Sequence, residues 1–204
     1  MRNVKAVLAR LSSAACLLVS GSVALAQRQV SDALLRAGTL SFDGRATVGD
    51  FVGTTSTVSG AITAGRDLAS TTGWVEAPVA TLVTGNAHRD RDLRASMETG
   101  RYPTMRFTLS GATAVASNSS GANGSSAVVL HGALTIHGVS RRLDLPAMII
   151  RTGDTTHVTS SFPLDLTDYK IGGLTKMLGL LRMEHEIEVH VDLRFVDDPR
   201  ENAP

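Results

Sequence analysis

The longest regular pattern in the sequence is an alternation of polar and apolar side chains near the C-terminus. Between residues 184 and 195, every second side chain is charged or otherwise polar, and most of the side chains between them are aliphatic or aromatic. A period of two places successive side chains on opposite faces of an extended strand. The pattern therefore predicts a long, half-buried strand whose apolar face carries Ile187, Val189 and Val191.

Shorter alternations recur along the chain and predict further strands. They lie at Val75-Ala77-Val79, at Met105-Phe107-Leu109, within residues 130–136 and within residues 143–149. Glycines separate these runs at hairpin-like intervals, and His137-Gly138 stands between two of them. The sequence therefore predicts one all-β domain built from antiparallel hairpins in series.

Two segments depart from the strand pattern. Residues 86–99 are rich in helix formers, begin with Asn86 as a candidate cap, and place Leu93 and Met97 four positions apart, which predicts a short helix. Residues 174–181 predict a second helix of about two turns, because their apolar residues follow the i, i+3, i+4, i+7 spacing. These residues are Leu174, Met177, Leu178 and Leu181. This second helix would be either a plug in the core or a moving lid.

The first 26 residues have the three parts of a secretory signal peptide. Residues 1–10 are basic, residues 11–23 are apolar, and Ala24-Leu25-Ala26 has the small-x-small pattern that precedes a cleavage site. We therefore expect cleavage after Ala26 and a periplasmic or secreted protein. A lipoprotein would instead use Cys16, the single cysteine, which cleavage after Ala26 removes. Residues 27–196 are then expected to form the barrel domain and residues 197–204 a flexible tail, with residues 116–126 as a flexible loop.

The sequence contains no recognisable catalytic constellation. His185 and His190 are five positions apart, so they share neither a helical face nor a strand face, which excludes the helical zinc-protease motif. His131 and His137 would share a strand face and could ligate a metal with a third residue, but two polar residues near strand ends explain them more simply. The chain carries 20 Lys and Arg against 19 Asp and Glu without a basic cluster, which argues against nucleic-acid binding. We expect neither enzymatic activity nor a cofactor nor a metal.

Four stretches of the sequence resemble one known family. They are the opening at 46–53 leading into Val58-Ser59-Gly60, the Arg-Asp run at 89–94 followed by Tyr102-Pro103 and Phe107, the hairpin at 132–139, and the segment at 165–172. In this order and spacing they resemble the YceI-like family of exported polyisoprenoid-binding proteins. The chain departs from the family pattern in the last stretch. There Asp165 lacks the usual preceding Arg, and Tyr169-Lys170-Ile171 replaces an aromatic-Gly-Ile run.

The resemblance implies an extended, eight-stranded antiparallel barrel of lipocalin-like shape, with one or two short helices and an apolar tunnel for an isoprenoid chain. Composition is compatible with a tunnel, because only 4% of the residues are aromatic and mostly smaller aliphatic side chains remain to fill the interior. The alternative is a barrel in which the same side chains interdigitate into a solid core.

Alternation within the strands provides the candidate lipid-binding residues. On the strands they are Phe107, Leu109, Leu134, Ile136, Ile187, Val189 and Val191, with Leu174, Met177, Leu178 and Leu181 as a cap. The family signature Arg89, Asp90 and Asp92 would either fasten the short helix to the barrel rim or contact a polar head group. We favour the fastening role, because neighbouring Arg and Asp side chains can satisfy one another.

The function expected from the sequence is non-catalytic binding of a long isoprenoid lipid, either a polyprenyl chain or a quinone tail, for transport or storage. Such a carrier would contact a membrane transiently, and the sequence leaves the oligomeric state open, a homodimer included. The alternative is an envelope stress or interaction protein with a filled barrel, which would act through surface loops such as residues 116–127.

Overall fold

The structure is a computed structural model that describes residues 32–47, 49–115, 125–172, 175–176 and 181–198. The predicted signal peptide, Cys16 and residues 116–124 of the predicted loop lie outside the described residues. No helix within the described ranges is long and apolar enough to cross a bilayer.

The described residues form eleven strands and one α-helix. In chain order these are β1 (Ala33–Gly44), β2 (Phe51–Thr55), β3 (Ser59–Thr63), β4 (Thr72–Pro78), α1 (Ala87–Ser96), β5 (Thr104–Ala114), β6 (Ser125–Ile136), β7 (Val139–Thr152), β8 (Thr155–Asp165), β9 (Thr175–Lys176), β10 (Leu181–Arg182) and β11 (Glu186–Asp197). Short 3₁₀ segments lie at Leu68–Ser70, Val79–Thr81 and Leu166–Tyr169.

The strands close into an antiparallel barrel. Hydrogen-bonded neighbours follow the order β11-β8-β7-β6-β5-β4-β3-β1, and β1 pairs with β11 to complete the ring. Strand β2 is an extra strand that pairs with the C-terminal half of β1, while β3 pairs with its N-terminal end. Closure leaves the eight barrel strands without an exposed edge, and the lipocalin-like barrel expected from the sequence is confirmed.

Strand β11 shows the alternation that the sequence predicted. Ile187 and Leu193 are buried inside the barrel, whereas Glu186 and Asp192 are exposed. The strand continues through Asp197, beyond the expected domain end at residue 196. Asp197 is the first residue of the predicted tail, and residues 199–204 of that tail lie outside the described part of the chain.

The hairpin between β6 and β7 turns on the predicted His137-Gly138 pair. Both residues have positive φ angles, 51° and 72°, as a type I′ turn requires. A Cβ atom on Gly138 would lie 2.4 Å from Cε1 of Tyr102, so this position needs glycine for space as well as for backbone conformation.

One predicted helix is present. Asn86 caps α1, and its side-chain oxygen accepts hydrogen bonds from the backbone N–H groups of His88 (2.9 Å) and Arg89 (3.2 Å). These bonds satisfy two of the donors that a helix N-terminus leaves unpaired.

The prediction of a second helix over residues 174–181 is wrong where the structure describes this segment. Thr175–Lys176 and Leu181–Arg182 pair as two short antiparallel strands. An apolar pattern that spans only eight residues gives a weak helix preference. Pairing with another segment of the chain readily overrides such a preference. Leu174, Met177 and Leu178 lie outside the described residues, and Leu181 is described only as a strand position.

Candidate functional site

The interior of the barrel is hollow. A cavity of about 790 Å³ lies between the inner faces of the strands, a size in the range of small-molecule sites. Its walls are largely aliphatic and aromatic, with contributions from β1, β5, β6, β7, β8 and β11. The filled barrel considered as an alternative is therefore not what the structure shows.

The candidate lipid-binding residues on the strands line cavities inside the barrel. Those that line the larger cavity are Phe107, Leu134, Ile136, Ile187, Val189 and Val191. Leu109 instead lines a second cavity of about 230 Å³, which Phe107 also borders. All seven face the interior, and their contact with a lipid remains a prediction. The predicted cap of Leu174, Met177, Leu178 and Leu181 cannot be placed, since no side chain of this group is described.

Sequence reasoning missed several wall residues. On β8, Val158, Phe162 and Leu164 line the larger cavity, as do Leu40 and Phe42 on β1. Each set has the period-two spacing of a strand. The alternation of polar and apolar residues is weak in both strands, because Thr, Ser and Gly residues lie between and beside these positions.

Helix α1 brings most of the polar residues that border the cavity. The cavity-lining residues of the helix and its cap are Asn86, His88, Arg89, Asp92, Leu93, Ser96 and Met97. Their spacing along the helix is that of a single face. One side of the cavity is therefore polar, while the strands supply an apolar wall.

The polar residues of α1 are held by local contacts. The guanidinium group of Arg89 lies 4.1 Å from the ring centre of Phe51, a cation–π geometry. Asp92 lies 3.2 Å from Nδ1 of His88, one helical turn earlier. A cationic and an anionic side chain thus border the cavity next to each other along the same helix.

Asp90 has a different role from its neighbours in the signature. It is buried, and its carboxylate accepts hydrogen bonds from the backbone N–H of Thr84 (2.8 Å) and from the Thr84 hydroxyl (2.6 Å). The Thr84 hydroxyl is the main cause of a lowered pKa of Asp90, with smaller contributions from the Thr84 N–H and from Arg94 and Arg89. Asp90 therefore fastens α1 to the preceding loop. Its chief partner is Thr84 rather than the neighbouring arginines that the sequence suggested.

The histidines considered as metal ligands do not converge. His131 lies on the outer surface, where Nδ1 is 2.7 Å from Asp144 and Nε2 is 2.8 Å from the Thr113 hydroxyl. His137 lies beyond the end of β6 in the turn, and its Nδ1 is 3.1 Å from the carbonyl oxygen of Tyr169. Among the described residues, no group of three or more His, Cys, Asp or Glu side chains could hold a metal ion.

Comparison with known structures supports the assignment of the fold. The protein is similar to a polyisoprenoid-binding domain from Saccharophagus degradans implicated in plant cell wall breakdown, at 17% identity, with a TM-score of 0.67 over 83% of this chain and 99% of that one. It is also similar to BcnA from Burkholderia cenocepacia, at 16% identity, with a TM-score of 0.63 over 77% and 95% of the two chains. A YceI protein from Campylobacter jejuni matches at 21% identity, with a TM-score of 0.55 over 72% and 84%.

Two comparisons were made at the level of sequence. No curated protein sequence matches this chain significantly. The sequence profile of the YceI-like domain matches residues 32–195, which is most of the chain and nearly all of the barrel. On the strength of this match and of the closed barrel, the chain belongs to the YceI-like domain family.

Proposed function

We propose that this protein binds the chain of an isoprenoid lipid inside its barrel and carries or stores it without altering it chemically. The observation that carries the proposal is the cavity of about 790 Å³ with its largely aliphatic wall. Family membership and the polyisoprenoid-binding domain among the similar structures support the same class of ligand.

Apolar burial alone can provide useful affinity in such a cavity. Withdrawing each methylene group from water contributes about 0.8 kcal/mol, so ten buried carbons would offer roughly 8 kcal/mol before the costs of ordering the chain. A polyprenyl chain and a quinone tail both meet this requirement, because both present a run of branched hydrocarbon.

The polar face of α1 gives the bound lipid an orientation in this proposal. Arg89 and Asp92 border the cavity, whereas the strands opposite supply hydrocarbon contacts. A head group would lie beside α1, since burying it among aliphatic side chains without hydrogen bonds would be unfavourable. The tail would extend from there along the barrel.

Export of the protein is part of the proposal. The signal-peptide pattern at residues 1–26 supports a periplasmic or secreted location, in which the protein would contact a membrane transiently to load or release its lipid. The mass of the mature protein tests this point, because cleavage after Ala26 leaves a chain that begins at Gln27.

A pair of substitutions on β6 tests the binding site. Leu134 lines the cavity, and the next residue, Thr135, lies on the other face of the strand, where its hydroxyl donates a hydrogen bond to the hydroxyl of Ser140. Leu134→Trp should weaken binding of farnesol by at least about tenfold, equivalent to about 1.4 kcal/mol, because the indole ring would occupy the volume that the lipid needs. Thr135→Trp should leave the affinity unchanged. The affinity is measured by titration in native mass spectrometry, with circular dichroism as a check that both variants fold.

Equal affinities for the wild type and for Leu134→Trp would contradict binding in this cavity. Equal losses in both variants would also contradict it, because the effect would then not depend on the side of the strand.

A further inference from the structure

The two cavities of the barrel lie one after the other along the strands. On β5, Met105 lines the larger cavity, Leu109 lines the smaller one, and Phe107 between them lines both. These three residues are successive inward positions of one strand. The boundary between the cavities therefore passes through Phe107.

The same boundary appears on other strands. On β6, Val128 lines only the smaller cavity, Leu134 only the larger one, and Leu130 both. Val75 on β4 and Val158 on β8 also line both. Four strands thus each contribute one residue to a layer across the interior, which we call the partition (Val75, Phe107, Leu130 and Val158).

Phe107 is the largest member of the partition, and Gly132 on β6 makes room for its ring. A Cβ atom on Gly132 would lie 2.4 Å from Cζ and 2.8 Å from Cε2 of Phe107. Gly132 pairs with Leu109, which lies two positions beyond Phe107 and lines the smaller cavity. Because the Phe107 ring lies beside Gly132, it leans across the strand pair towards the smaller cavity. The missing side chain at Gly132 therefore allows the ring to lie at the boundary.

We propose that Phe107 is the stop that limits how much of an isoprenoid chain the barrel can hold. This inference rests on the function proposed above. A tail that extends from α1 through the larger cavity meets the partition, and the further 230 Å³ beyond it stays out of reach. Phe107 would thereby determine the preferred chain length.

A series of prenyl alcohols tests the proposal. Dissociation constants for geraniol, farnesol, geranylgeraniol and solanesol are measured with the wild type, Phe107→Ala and Tyr102→Ala. Tyr102→Ala is the matched control, because Tyr102 lines neither cavity, so the loss of its aromatic ring leaves the walls of both cavities unchanged. If Phe107→Ala does not fold, as judged by circular dichroism, Phe107→Leu takes its place.

For the wild type, affinity should rise with chain length and then level off once the larger cavity is full. For Phe107→Ala, the rise should continue to a longer alcohol, which binds at least about tenfold more tightly than to the wild type, because additional carbons are withdrawn from water. Tyr102→Ala should level off at the same alcohol as the wild type.

The outcomes separate this inference from the proposed function. If the wild type binds the alcohols and the affinity levels off at the same alcohol in all three proteins, the role of Phe107 is overturned and lipid binding stays intact. An equal extension in both variants, or a wild-type affinity that rises through solanesol, would also overturn that role. Failure of the wild type to bind any alcohol would overturn the proposed function and this inference with it.

Discussion

Asp90 illustrates how a single carboxylate positions the helix that borders the cavity. Its two hydrogen bonds from Thr84 join the first turn of α1 to the loop before the helix. Hydrogen bonds to charged groups contribute more than neutral ones, and a partner left unsatisfied on truncation adds to the loss. The residue is thus part of the scaffold of the site, whereas Arg89 and Asp92 border the cavity itself.

Replacement of Asp90 should destabilise the protein without abolishing lipid binding. We expect Asp90→Ala to lower the free energy of unfolding by about 2 kcal/mol, as measured by urea denaturation, because both bonds to Thr84 are lost. In a double-mutant cycle with Thr84→Val, the two effects should be clearly less than additive. Unchanged stability together with loss of farnesol binding would reverse the assignment and make Asp90 a ligand contact.

The contribution of Asp90 should also depend on pH. Its pKa is lowered in the folded state below the ordinary value of 3.8. A carboxyl group with a lowered folded-state pKa stabilises the protein above the unfolded pKa, and this stabilisation is lost as the pH falls through the folded pKa. The stability difference between the wild type and Asp90→Asn should therefore be constant near neutral pH and shrink below about pH 4. A difference that grows on acidification would contradict this account.

At the scale of elements, the β6–β7 hairpin depends on Gly138 in two ways. The φ angles of Gly138 and of Gly153 in the β7–β8 turn are both positive, at 72° and 61°. The two sites differ in their surroundings, because a Cβ on Gly138 would meet the ring of Tyr102, whereas one on Gly153 would meet nothing within 4 Å. The two glycines therefore separate backbone strain from side-chain contact.

We expect Gly153→Ala to cost about 1 kcal/mol of stability, which is the penalty for a side chain in the left-handed region. Gly138→Ala should cost more, because the methyl group must also displace Tyr102. Thermal and urea denaturation of both variants measure the difference. Equal losses would show that Tyr102 moves aside without cost.

Local patterns determined which elements could be predicted from the sequence. The alternation in β11 and the cap and helix formers of α1 each lie within a single segment. Both elements could therefore be predicted without knowing which strands pack beside them. Residues 174–181 show the opposite case, since their apolar spacing predicts a helix and the pairing of Thr175–Lys176 with Leu181–Arg182 determines the observed structure. The walls from β1 and β8 were missed because small and polar residues obscure their alternation.

At the scale of the whole molecule, the side facing the cavity was predictable and the shape of the cavity was not. Period two fixes the face of Phe107, Leu109 and Leu134, but it says nothing about what lies across the barrel. Whether facing side chains meet depends on the sum of their volumes around the ring of strands. The division into two cavities at Phe107 is a property of this kind, because it also requires Gly132 on the neighbouring strand.

Native mass spectrometry of the purified, exported protein tests the central claim most directly. The account predicts a mature chain that carries one isoprenoid lipid, released on denaturation and identifiable after organic extraction, with the stripped protein taking up added farnesol to a single equivalent. A purified protein that carries no lipid and takes up no prenyl alcohol, while its barrel stays folded, would contradict the account.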